Sequence, residues 1–131
     1  MNEPQHSRSG KLEIRTHTAA VGAADSLIDV LVVELRGELR LGKESDLLGS
    51  VLRKQIDGGR QRILLDFSGL AVLDSTGVGV LVEAKVHALH SEGSMRLCNC
   101  PSFATRLLYR LALHRILEVY ETEEAALHQW H

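Results

Sequence analysis

Three short apolar runs alternate with segments of helical periodicity, and this alternation limits the possible folds more than any other feature. The runs occupy residues 30–35, 61–67 and 95–100, and each has the length and the apolar character of a buried strand. Residues 43–56, and the stretch that follows Asp74 to about residue 90, carry apolar residues at helical spacing. The sequence therefore predicts an α/β fold, with helices packed on a small mixed sheet of about four to five strands. The strands that flank the Asp74 helix are expected to be parallel.

Weaker patterns define the remaining boundaries. Residues 1–10 are predicted to form a flexible tail, and residues 11–131 one domain that begins with an edge strand at 11–16. Gly37 is expected to end the first buried strand, and residues 18–29 give no assignment. The other expected elements are a loop at 68–73, a helix opened by Pro101, a strand at 116–120 and a helix at 123–130.

Composition excludes several classes of function. The 131 residues are 44% hydrophobic and 24% charged, which suits one globular domain with a core that needs no disulfide or metal. Fifteen basic and seventeen acidic residues give a net charge of -2, so no electrostatic footprint for nucleic acid or an anionic membrane is predicted. The chain begins without an apolar stretch and has no run of about 18 apolar residues, so neither a signal peptide nor membrane insertion is expected.

Two cysteines bear on the cellular compartment. Cys98 and Cys100 are two residues apart in a strand-like stretch, which would place both side chains on one face. They are too close along one strand for an ordinary disulfide, and no second pair is present for zinc. We expect two buried, reduced thiols and a cytoplasmic protein.

One segment carries most of the functional information. In Asp74-Ser75-Thr76-Gly77-Val78-Gly79, the aspartate and the serine are residue types that cap helix N-termini, and capping is their simplest role. The two glycines are harder to explain, because glycine inside a helix costs about 1 kcal/mol relative to alanine. Close approach of the sheet beneath, or of a ligand or partner above, would account for them.

The chain also resembles a known family over roughly residues 11–130. The segments that carry the resemblance are residues 37–39 (GEL), 64–68 (LLDFS), 73–81 (LDSTGVGVL), 93–99 (GSMRLCN), 106–108 (RLL) and 124–127 (EAAL). Together they look like the STAS domain of bacterial anti-sigma factor antagonists. The Asp-Ser-Thr-Gly-Val-Gly run, between a strand and a helix, is the most specific of them.

The resemblance implies a cytoplasmic binding module, not an enzyme, with no cofactor. Members of the family bind a serine-kinase anti-sigma factor and free a sigma factor for transcription. The kinase phosphorylates the serine after the motif's aspartate, which matches Ser75 here, and a serine phosphatase removes the phosphate. Thr76 is the less favoured acceptor, because a β-branched residue is expected to turn inward. The docking residues implied are Glu38, Arg40, Asp74, Ser75, Thr76, Gly77, Val78 and Gly79.

Arg40 is a departure from the family's pattern. Antagonists commonly have an aspartate after Gly-Glu-Leu, whereas this chain has Arg40, followed by Leu41, Gly42 and Lys43. This loop is expected beside Ser75 at one end of the sheet. A base in place of an acid changes the charge presented to a kinase and to its nucleotide–metal complex.

Other interpretations remain open. The domain could be a scaffold subunit of a stress-sensing or transporter-associated complex, or a sensor of a small ligand or nucleotide. Catalysis by Ser75 is not expected, because Gly-x-Ser-x-Gly is absent and His87 lies about three turns away. His87 and His90 share a helix face, but no further ligand has suitable spacing, so no metal site is predicted. Surface positions are expected for His114, His128 and His131, and for Arg106, Arg110 and Arg115.

Overall fold

A computed structural model describes residues 5–22 and 26–130, which form one mixed sheet with helices on it. The six strands of this part of the chain lie in sequence order. Neighbouring strands are antiparallel from the first to the third and parallel from the third to the sixth. The predicted α/β class and the parallel pairing across the Asp74 helix are therefore confirmed. The elements are β1 (Gln5–Ser9), β2 (Leu12–Val21), β3 (Ile28–Leu39), α1 (Lys43–Asp57), β4 (Arg62–Leu73), α2 (Ser75–His90), β5 (Ser94–Cys98), α3 (Ser102–Arg110), β6 (Val119–Tyr120) and α4 (Glu123–Leu127).

The two faces of the sheet are covered differently. Helices α1, α2 and α3 pack on one face, where Leu48, Leu81 and Leu108 are fully buried against the central strands. The other face carries a smaller apolar cluster, which Ala126 of α4 and Trp130 cover. No described helix is long and apolar enough to cross a membrane. The larger cluster therefore fixes the three long helices on one side of the sheet.

Strands β3 and β4 are longer than predicted. Gly37 does not end β3, which continues to Leu39, and residues 68–73 form the end of β4 and not a loop. The two strands pair as far as Leu39 and Leu73, with register shifts on the way. Backbone pairing holds these polar and glycine-containing segments in strands, although their residue types alone favour a loop.

The N-terminal region also differs from the prediction. Gln5–Ser9, inside the predicted tail, pair with β2 as an antiparallel edge strand, whereas residues 1–4 lie outside the described residues. The strand expected at 11–16 extends to Val21 and is not at the edge, so the described sheet has six strands. Strand pairing again extends a segment that residue types alone left unassigned.

The cysteine prediction is wrong about the shared face. Cys98 is buried in the smaller cluster, whereas Cys100 is half-buried against the larger one, because the strand ends at Cys98 and Asn99 has a positive φ of 56°. Burial raises the pKa of both thiols to about 12, and the charge of Asp66 adds to the effect. Both thiols are free and protonated at neutral pH.

Three other surface predictions can be compared with the structure. Arg106, Arg110 and Arg115 are exposed, as predicted, and so is His128. His114 is half-buried instead, because its ring stacks on Tyr109 with the centroids 3.8 Å apart. His131 lies outside the described residues.

Lys85 holds α2 to the parallel edge of the sheet. Its side chain is only 3% exposed, and its Nζ donates to the carbonyl of Met95 at 2.7 Å and to the carboxylate of Glu118 at 2.5 Å. Burial of an ammonium group is unfavourable unless it is paired and hydrogen-bonded, and both conditions are met here. This ion pair therefore fixes the position of the helix that begins at Ser75.

We predict that Lys85→Ala lowers the free energy of unfolding by about 2 to 3 kcal/mol, because a buried carbonyl and a carboxylate lose their donor. Lys54→Ala, at an exposed position of α1, is the control and should change it by less than about 0.5 kcal/mol. Urea unfolding followed by circular dichroism measures both values. Equal, small effects would show that the Lys85 pair does not stabilise the fold.

Candidate functional site

The ends of β3 and β4 bring two loops together at one edge of the sheet. Leu39 and Leu73 are paired, and the backbone N–H of Asp74 donates to the carbonyl of Leu39 at 3.2 Å. The residues that follow each strand therefore lie side by side, since carboxyl ends of parallel strands share one edge. The predicted proximity of the Arg40 loop to the Asp74 motif is confirmed.

Asp74 links the two loops through its carboxylate. One oxygen, Oδ1, accepts from the N–H of Gly77 at 2.8 Å and caps α2, as predicted. The other oxygen, Oδ2, accepts from the N–H of Leu41 at 2.8 Å, across the gap between the loops. Partial burial opposes ionisation, but these donors and the positive charge of Arg40 outweigh it and lower the pKa of Asp74.

Ser75 and Thr76 both face solvent at the first turn of α2. Ser75 is the first helical residue, and the cap is Asp74, so the serine hydroxyl is not required for capping. The expectation that Thr76 turns inward is wrong, because the packed position of this turn is taken by Gly77. Both hydroxyls are therefore accessible, and Ser75 is the one that lines a groove described below.

The two glycines of the motif have different roles. A Cβ on Gly77 would lie 2.9 Å from the carbonyl oxygen of Leu39 and 3.1 Å from Cδ1 of Leu73, so this glycine allows α2 to pack on the strand ends. A Cβ on Gly79 would meet nothing within 4 Å. The sheet explains Gly77 but not Gly79, which leaves an open patch of helix backbone on the surface.

A shallow apolar groove of about 540 Å³ begins at Ser75 and Gly79. Its floor is Val78, which is 2% exposed. Glu83 is the only charged residue that lines the groove among the described residues. The apolar lining consists of Val78, Val82, Val86, Leu111 and Leu113.

The Arg40 loop forms the other side of the site. Arg40 is exposed and pairs with Glu38 at 2.8 Å, and Leu41 is 74% exposed at the tip of the loop. The hydroxyl and the N–H of Ser45 both donate to the carbonyl of Arg40, which holds the loop against the start of α1. This edge therefore presents a cation and an apolar side chain on a loop anchored at both ends.

Sequence reasoning missed Leu41 and most of the groove. The helical spacing after Asp74 predicted one apolar face, which would include Val82 and Leu89; Val82 is half-buried, and Leu89 is 54% exposed. A usable signal exists, because α2 carries apolar residues around most of its circumference, and a single packed face does not require that. Leu111 and Leu113 join the groove only through the tertiary fold.

The carboxylate of Asp74 is committed to structural hydrogen bonds. Both oxygens of Asp74 are occupied by backbone donors and its pKa is lowered, which makes it a poor base for the Ser75 hydroxyl. Within residues 5–22 and 26–130, no group of three or more His, Cys, Asp or Glu residues is placed to hold a metal ion. His87 pairs with Asp57 at 2.7 Å.

A family model and a curated relative both match most of the chain. The model described as "STAS domain" matches residues 23–126 of the chain. An anti-sigma F factor antagonist of Paenibacillus polymyxa is 31% identical over 103 residues, which cover 75% of this chain and 84% of that protein.

Solved structures show the same fold at low identity. A putative anti-sigma factor antagonist from Thermotoga maritima gives a TM-score of 0.65 at 21% identity and covers 83% of this chain and 90% of its own. The phosphorylated form of the Bacillus cell fate determinant SpoIIAA gives a TM-score of 0.59 at 21% identity, with coverage of 83% and 95%.

The two glycines should respond oppositely to alanine. Gly77→Ala should lower the free energy of unfolding by about 1 to 3 kcal/mol, because the new methyl group overlaps Leu39. Gly79→Ala should raise it by about 0.5 to 1 kcal/mol, because the position is open and alanine is the better helix former. Urea denaturation measures both. Destabilisation by Gly79→Ala would contradict the assignment of an open surface.

The charge of Asp74 should make stability depend on pH. A pKa that is lower in the folded state stabilises the protein above the unfolded value of about 4, and this contribution is lost as pH falls through the folded pKa. Asp74→Asn should therefore be less stable than wild type by about 1 kcal/mol at pH 7, and the difference should shrink below pH 4. Thermal unfolding between about pH 2 and about pH 7 measures this difference. A difference that stays constant with pH would contradict the role of the charge.

Proposed function

The chain belongs to the STAS domain family, and we propose that it is an anti-sigma factor antagonist whose docking surface is centred on Ser75. One observation carries the proposal. An exposed serine hydroxyl starts α2, between an Asp74-anchored loop and an open apolar groove. A partner that covers this edge would cover the hydroxyl, so modification of Ser75 would control binding.

The partner we propose is a serine-kinase anti-sigma factor, with a serine phosphatase acting in the opposite direction. The Paenibacillus relative, at 31% identity, is named for antagonism of an anti-sigma factor, which supports the same class of partner here. Binding of this chain to the anti-sigma factor would release a sigma factor for transcription, so we place the protein in the cytoplasm. We propose binding without catalysis, because Asp74 is held by two backbone donors and is not free to activate Ser75.

A phosphate on Ser75 would act on binding and not on the fold. It adds about -1.5 to -2 charge at the first residue of a 16-residue helix, where the helix dipole favours an anion. The same charge would stand beside Asp74 and at the mouth of an apolar groove. Desolvation of an unpaired phosphate on docking is unfavourable, so the phosphorylated protein would fold normally and bind its partner weakly.

Arg40 gives this docking surface a charge that the family resemblance does not predict. The side chain is exposed, its ion pair with Glu38 lies at the surface, and it lowers the pKa of Asp74. Exposed pairs of this kind contribute about 0 to 1 kcal/mol, so Arg40 is free to exchange Glu38 for a carboxylate or phosphate of the partner. We propose that Arg40 selects the partner.

A kinase and binding experiment tests the function. Every serine-kinase anti-sigma factor encoded in the source genome is purified, incubated with the chain and ATP, and titrated by calorimetry. We expect one of them to bind and to add one phosphate, which Ser75→Ala abolishes. Ser75→Asp should weaken binding by about 30-fold, which corresponds to about 2 kcal/mol, with an unchanged melting temperature.

Ser102→Asp is the matched control, because Ser102 is also an exposed first residue of a helix, α3. It should leave affinity within about twofold. Arg40→Asp should change affinity without lowering stability by more than about 0.5 kcal/mol. Failure of every kinase to bind, or equal effects of Ser75→Asp and Ser102→Asp, would overturn the proposal.

A further inference from the structure

An apolar stripe follows the outer face of α2 from Ser75 onwards. Gly79, Val82, Val86 and Leu89 succeed Ser75 at spacings of four, three, four and three residues, which places all five on one face of the helix. Val86 is 44% exposed and Leu89 is 54% exposed. With a rise of 1.5 Å per residue, the stripe is about 21 Å long. Exposed apolar side chains aligned over this length indicate an interaction surface.

The turn after α3 forms the second wall of the groove. Leu111, 43% exposed, and Leu113, half-buried, face the stripe near Val82 and Val86. A Cβ on Gly79 would meet nothing within 4 Å, so an occupant can approach the α2 backbone there. The surface consists of helix and turn, and offers no free strand edge to a β-strand. The shape therefore fits a helix laid along the groove.

Glu83 of α2 is the charged residue that lines the groove among the described residues, whereas exposed arginines adjoin its other wall in the sequence. Arg110 directly precedes Leu111 of the groove wall, whereas Arg106, four residues earlier on α3, lines a separate cavity with Tyr109 and His114. Arg115 follows Leu113 by two residues. All three are exposed, and within the described part of the chain none has a carboxylate within ion-pair distance. An occupant with acidic residues on this side would complement them.

We propose that the anti-sigma factor binds this groove with an amphipathic helix that has an apolar face and an acidic flank. The apolar face covers Val82 and Val86, the helix approaches the α2 backbone at Gly79, and the acidic flank meets Arg110 of α3. This inference rests on the proposed function and names the chemistry of the partner's contact element. Phosphorylated Ser75 stands at the end of the same stripe, where it would repel an acidic helix.

The test uses the intact chain and the anti-sigma factor identified by titration above. Val86→Asp should weaken binding by about tenfold or more, because a carboxylate is buried against an apolar face. Arg110→Glu should weaken it by at least about threefold and reduce the dependence of affinity on salt. Two matched controls are used: Leu27→Asp, at a residue that is 55% exposed and directly precedes β3, and Arg36→Glu, at an exposed residue on the other sheet face. Both should leave affinity within about twofold.

The outcomes separate this inference from the proposed function. If Ser75→Asp weakens binding while Val86→Asp does not, the groove proposal is wrong and the antagonist function stands. If Ser75→Asp has no effect either, the proposed function is wrong. No change or a gain in affinity for Arg110→Glu would overturn the acidic flank. Circular dichroism and the melting temperature test whether each variant is folded. We expect Val86→Asp and Arg110→Glu to fold, because both positions are exposed.

Discussion

The carboxylate of Asp74 is the contact on which the functional edge of the sheet depends. It caps α2 through Gly77 and holds the neighbouring loop through Leu41, each at 2.8 Å. The start of α2 and the Arg40 loop are thus fixed relative to each other by one side chain. Because the charged form makes both bonds, the two loops keep this geometry at neutral pH, and the proposed phosphorylation of Ser75 would leave the Asp74 cap in place.

Helix α2 packs on the sheet with one side and carries apolar residues on its solvent-facing side. Gly77 and Leu81 face the sheet, while Gly79 and Val86 face solvent, so one side of the helix packs on the fold and the other side is left open. Lys85 and its partner Glu118 fix the helix from the side. A helix anchored at its cap and along its length can present an apolar stripe without losing its place, which supports its use as a rigid docking element.

The sequence by itself determined the fold class and the place of the motif. The alternation of apolar runs with helical periodicity required an α/β layer, because strands buried on both faces need helices to cover them. Asp74 was recognisable as a cap, since a carboxylate that precedes a helical stretch satisfies N–H groups of the first turn. Ser75 became a candidate through the family resemblance, whereas its residue type alone indicated a helix cap. These inferences depend on local backbone chemistry, which neighbouring residues decide.

Only the tertiary structure decided how far the strands extend and which glycine is open. Residues 68–73 become a strand because β3 pairs with them, and Gln5–Ser9 because β2 does; neither partner is visible in local residue types. Gly77 and Gly79 look alike in the sequence, yet Leu39, distant in the chain, fills the space beside the first and leaves the second free. Leu111 reaches the groove for the same reason: contacts between residues far apart in the chain are set by packing, which local pattern does not encode.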